Sequence, residues 1–60
     1  MTMTYVFYNP ETKVVAHTAI TDESAKRFAN DNPTYIVECY YDGELIETNT
    51  SSVIFNPKYK

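Results

Sequence analysis

Asp42-Gly43 is the feature that most constrains this chain. It joins two strand-like runs within Tyr35–Asn49, an aromatic and β-branched run before it and a more polar one after. Glycine accepts a positive φ without steric cost and aspartate tolerates one, so the pair fits a two-residue type I′ hairpin turn. A tight turn also sets the register. Counting outward places Tyr41 opposite Glu44, Tyr40 opposite Leu45, Cys39 opposite Ile46, Glu38 opposite Glu47 and Val37 opposite Thr48. Tyr35, Val37, Cys39, Tyr41 and Ile46 then share a face with no charge until the hairpin tip, which suits a packed helix. Ile36, Glu38, Tyr40, Leu45, Glu47 and Asn49 share the other. Opposed glutamates cost a little in a sheet and point to solvent or to a basic partner.

A second hairpin is expected upstream. Met3–Tyr8 is rich in aromatic and β-branched residues, Asn9-Pro10-Glu11-Thr12 has turn chemistry, and Lys13–Ile20 resumes as a strand. With Tyr8 opposite Lys13, one face carries Met3, Tyr5, Phe7, Val14 and Ala16, and the other Val6, Tyr8, Val15 and His17. The first set has more ring area and is expected inward. A slip of one residue in the loop would exchange the sets on the second strand.

Between the hairpins, Thr21-Asp22-Glu23-Ser24 opens a helix, in which Thr21 or Asp22 can cap and acidic residues lie near the unpaired first-turn amides. Pro33 disfavours helical geometry at the residue before it, so the helix ends near Asn32. Ala25, Phe28 and Ala29 form its apolar stripe, while Lys26, Arg27, Asn30 and Asp31 face water. So short a helix is unstable alone and has to dock on the strands. Val53-Ile54-Phe55 is a candidate for a short fifth strand. It echoes Val6-Phe7-Tyr8, since an Asn-Pro follows each. The tail 58–60 is expected to be loose. The fold class is therefore α+β: a small antiparallel-rich sheet of two hairpins with one helix on one face, in the order β-β-α-β-β, as one domain spanning 1–60.

Sixty residues bury only about 60% of their unfolded surface. The usual reinforcements of small domains are absent. Cys39 is the only cysteine and His17 the only histidine, which permits no intramolecular disulfide and supplies too few ligands for a structural zinc. No metal or other cofactor is expected. Eight acidic residues against five basic ones give a net charge of -3, without the clustered Lys and Arg of a nucleic-acid binder. No apolar run approaches the ~18 residues of a membrane span. The N-terminus has no basic region followed by a long apolar one, so a cytoplasmic location is expected and the Asn49-Thr50-Ser51 glycosylation pattern is expected to go unused.

Catalysis finds little support. His17 has no motif around it, nothing beside Cys39 would lower its pKa, and the hairpin carboxylates Glu38, Asp42, Glu44 and Glu47 lack a cleft. The most unusual feature is six tyrosines, at 5, 8, 35, 40, 41 and 59, more than a core this small can bury. Tyrosine offers large contact area at low entropic cost and is enriched at interfaces. The expected function is a non-enzymatic protein-binding module, acidic and tyrosine-rich. It would regulate or inhibit a larger protein by occupying its surface through Tyr8, Ile36, Glu38, Tyr40, Glu44, Leu45 and Glu47. The alternative is a homo-oligomer self-paired through that face. A single-stranded nucleic-acid binder would stack bases on exposed rings, but the basic groove it needs is missing.

Overall fold

The computed structural model describes residues 2–55. Four strands and two helices follow in the order β1 (Met3–Tyr8), β2 (Val15–Ala19), α1 (Asp22–Asp31), β3 (Ile36–Tyr41), β4 (Glu44–Thr50) and α2 (Ser51–Phe55). The strands form one antiparallel sheet in the order β2-β1-β3-β4. The expected α+β fold of two hairpins is present. Each of β2 and β3 runs antiparallel to β1, so they run parallel to each other, and α1 crosses from the edge of the sheet to its centre. The expected tail, 58–60, lies outside the described residues.

The second hairpin turns where the sequence places it. Asp42 has φ 49° and Gly43 φ 86°, the pair of positive values that a type I′ turn requires. Tyr41 pairs Glu44 and Tyr40 pairs Leu45 as counted, but Cys39 then pairs Glu47, Val37 pairs Asn49 and Glu38 pairs Thr48. Ile46 is the extra residue of a β-bulge, and beyond it β4 is shifted by one. Glu38 and Glu47 are therefore not opposed. The bulge brings the end of β4 level with Tyr35. There the Ser51 amide and hydroxyl both donate to the Tyr35 carbonyl oxygen, each at 2.8 Å. Ser51 is fully buried, so this clasp satisfies a hydroxyl that would otherwise be costly to enclose.

In the first hairpin the loop is longer than expected. The Asn9 side chain accepts from the amides of Glu11 and Thr12, the Lys13 amide donates to the Asn9 carbonyl, and Lys13 adopts φ 64°. The loop thus takes in Lys13 and Val14. Tyr8 pairs Val15, Ala16 is bulged, and Phe7 pairs His17. On β1 the expected inward set, Met3, Tyr5 and Phe7, is correct. On β2 the expectation fails in part: Val14 lies in the loop and Ala16 is bulged rather than inward, His17 and Ala19 are inward, and Val15, opposite Tyr8, stays on the outer face as expected.

α1 matches its sequence signals closely. Thr21 caps it, its hydroxyl accepting from the Ser24 amide at 3.2 Å, and Asn32 ends it. Ala25 and Ala29 are buried, and their small side chains let the helix approach the sheet closely. The core comprises Tyr5, Phe7, Ala19, Ala25, Ala29, Val37 and Cys39, with Met3, Phe28, Ile54 and Phe55 packed around it. The Tyr5 hydroxyl donates to the Asp22 carboxylate, tying β1 to the first turn of α1.

Residues Val53-Ile54-Phe55 form no fifth strand; they belong to the short helix α2. Their β-branched and apolar character suits a strand, but packing overrides local propensity. As a helix they reach the core from one side, and Phe55 sits 5.4 Å from the Tyr5 ring and 6.1 Å from that of Phe7. Two helices, not one, cover the sheet face.

Candidate functional site

Both helices pack on the same face of the sheet, and among the described residues nothing covers its other, open face. Three cross-strand rows build that open face. Thr18, Val6, Glu38 and Thr48 form one; Val15, Tyr8, Ile36 and Thr50 the next; Thr4, Tyr40 and Leu45 the third. The central strands make its middle apolar. Val6, Tyr8, Ile36 and Tyr40 are half-buried by their neighbours, while Leu45 and Val15, at the two sides, are 48% and 55% exposed.

Glu38 stands within this apolar ground. The Tyr40 hydroxyl donates to its carboxylate at 3.1 Å, and that hydrogen bond is the main reason the Tyr40 pKa is raised. At the rim, the Lys13 ammonium lies 5.8 Å from the centre of the Tyr8 ring, within cation–π range. The face can thus offer flat aromatic and aliphatic contact area around one oriented carboxylate.

Of the residues expected to form the site, Tyr8, Ile36, Glu38, Tyr40 and Leu45 do come together here. Glu44 and Glu47 do not. Glu44 pairs Tyr41, and Glu47 pairs Cys39, which puts both on the helix-bearing side. For Glu47 the cause is the Ile46 bulge; Glu44 sits before it, on the Tyr41 face already implied by the turn. The placement of Glu47 has an electrostatic consequence. Burial, and secondarily the Glu47 carboxylate, push the Cys39 thiol pKa up, away from the reactive thiolate. Sequence reasoning missed Val6, Thr4 and Thr18. The alternation that pairs Val6 with Tyr8 was visible, but only the adjacency of β1 and β3 joins them to Glu38.

The tyrosines divide accordingly. Tyr5 is buried, Tyr8, Tyr35 and Tyr40 are half-buried, and Tyr41 is 38% exposed. Tyr59 lies outside the described residues.

His17 is on the opposite side, in a cleft of about 270 Å³ lined also by Ser24, Arg27, Phe28 and Asp31. Its imidazole stacks on Phe28 at 4.6 Å and 9°. Serine, histidine and aspartate meet here, but the buried His17 Nε2 has no hydrogen-bond partner among the described residues. The nucleophile–base hydrogen bond used in acyl transfer is not formed at that atom. Among the described residues no group of three His, Cys, Asp or Glu side chains is placed to hold a metal ion, and no helix is long and apolar enough to cross a membrane. Comparison with protein-family models, with curated proteins and with solved structures finds no match for this chain.

Proposed function

We propose that this chain is a small non-enzymatic protein-binding module whose contact surface is the open sheet face. The observation that carries the reading is the composition of that face. An antiparallel sheet with one solvated side ordinarily alternates apolar inward with polar outward. Here Val6, Tyr8, Ile36, Tyr40 and Leu45 face outward together. Glu38 sets the chemistry of the partner. On docking it would lose water, and a carboxylate enclosed in an interface needs a cation and hydrogen bonds to offset that loss. The partner is therefore a larger protein with an arginine or lysine inside an apolar patch, regulated or inhibited by steric occupation of that patch.

Size supports a compact contact. A stable interface takes about 800 Å² from each side, roughly a fifth of the 4144 Å² exposed here. The test is affinity capture with the full chain against matched variants. Glu38→Lys should abolish retention of a stoichiometric partner, and Glu47→Lys, on the other side, should leave it intact. Equal loss from both would point to net charge rather than this face. Retention by both would remove the open face from consideration.

A further inference from the structure

The two edges of the sheet differ in a way the open-face reading does not use. β4, at one edge, carries Glu44 and Glu47, with Asp42 just before it in the turn. Charges of this kind discourage an edge from pairing with a foreign strand. β2, at the other edge, lacks them. From Val14 to Ile20 there is no Asp, Glu, Lys or Arg. Val14, Val15 and Ile20 are 63%, 55% and 72% exposed. Among the described residues no strand lies on the outward side of β2. The Ala16 bulge lies near the start of the strand, and His17, Thr18 and Ala19 pair with β1 in unbroken register.

We propose that β2 is a self-association edge, where two copies of the chain pair antiparallel across a two-fold axis into one eight-stranded sheet. Charge selects a second copy as the occupant. Across a two-fold axis each edge meets itself, so an edge bearing like charges repels its own copy. That disqualifies β4 and leaves β2 self-compatible. The neighbouring wall of α1 fits the same symmetry. Arg27 and Asp31 both line the cleft beside β2, and the axis sets α1 antiparallel to its copy. Opposite charges from the two copies then come within reach. With the axis normal to the sheet, the helices of both copies stay on one side and the two open faces become continuous on the other.

The experiment is sedimentation velocity on the full chain over a wide concentration series, comparing the unmodified chain with Val15→Lys/Thr18→Lys. Both positions are exposed edge residues, and the substitutions place like charges across the proposed axis. The unmodified chain should pass from monomer to dimer as concentration rises, while the variant stays monomeric with unchanged circular dichroism. A chain that remains monomeric throughout overturns the proposal. So does a dimer that persists in the variant, or one that Tyr40→Asp also removes: Val15 and Thr18 point to the open-face side of β2, and loss in both variants would place the contact on that face. Should the double variant fail to fold, amide exchange of the unmodified chain decides. Protection of β2 amides that increases with concentration supports the edge, and protection independent of concentration refutes it.

Discussion

The helix-covered and open faces of the sheet are made by the same central strands, and both carry large apolar side chains. β1 sends Met3, Tyr5 and Phe7 one way and Thr4, Val6 and Tyr8 the other; β3 sends Val37, Cys39 and Tyr41 one way and Ile36, Glu38 and Tyr40 the other. Hydrophobicity alone does not distinguish the two. The covered face is defined by what comes to meet it: Ala25 and Ala29 admit α1 closely, and Phe28, Ile54 and Phe55 fill the space between helices and sheet. The open face also presents large apolar side chains, around Glu38, and among the described residues it has no such cover. It is this imbalance, rather than any single residue, that motivates a binding role.

The largest expected effect lies at the centre of the covered face. Phe7 is fully buried and packs 4.8 Å from Phe28, so Phe7→Ala should cost about 3–5 kcal/mol and leave little or no cooperative transition in a urea titration. Its neighbour Val6, directed to the open face, should lose about 1 kcal/mol or less as Val6→Ala in the same titration. If the two substitutions were equally damaging, the open face would have to be covered within the monomer.

A second contrast is in alkali. Burial, then the hydrogen bond and charge of Asp22, push the Tyr5 pKa from 10.0 up to about 12. Above pH 10 the unfolded chain loses the Tyr5 proton while the folded chain keeps it. The folded state then binds more protons, so stability falls as pH rises from 10 to 12. Thermal melts across that interval should show a steeper fall for the unmodified chain than for Tyr5→Phe, which lacks the ionisable group. The smallest effect belongs to the open face. Tyr40→Phe removes the bond to Glu38 from a solvated position and should leave the melting curve almost unchanged.

Much of this architecture was readable from local chemistry. Asp42-Gly43 located its turn, Thr21 and Asn32 bounded α1, and the ring-bearing alternation of β1 identified its inward side. The misreadings share a physical cause. Turn chemistry sets register only as far as the first irregularity, and each hairpin contains a bulge, at Ala16 and at Ile46, that depends on what the strand must reach further on. β4 has to deliver Ser51 to Tyr35. β2 has to follow an Asn9-organised loop and still place Ala19 beside Tyr5. Nor did Val53-Ile54-Phe55 announce a helix, because its fate depends on a core assembled from distant segments. The candidate site suffered likewise. Its Tyr40–Leu45 side was visible within one hairpin, while Val6 joined it only through the pairing of β1 with β3.

The Ser51 clasp also bears on the order of events in folding. Sixteen residues separate the clasped pair, and the reversal between them has a strong turn at its middle. Closing that loop costs less entropy than bringing β1 to β3, whose paired residues lie 28 to 38 positions apart. Secured at its tip and again at its base, the segment from Tyr35 to Ser51 can persist as an early ring without opening from its free end. On this view the C-terminal half of the chain is the template, and the N-terminal hairpin is added to it.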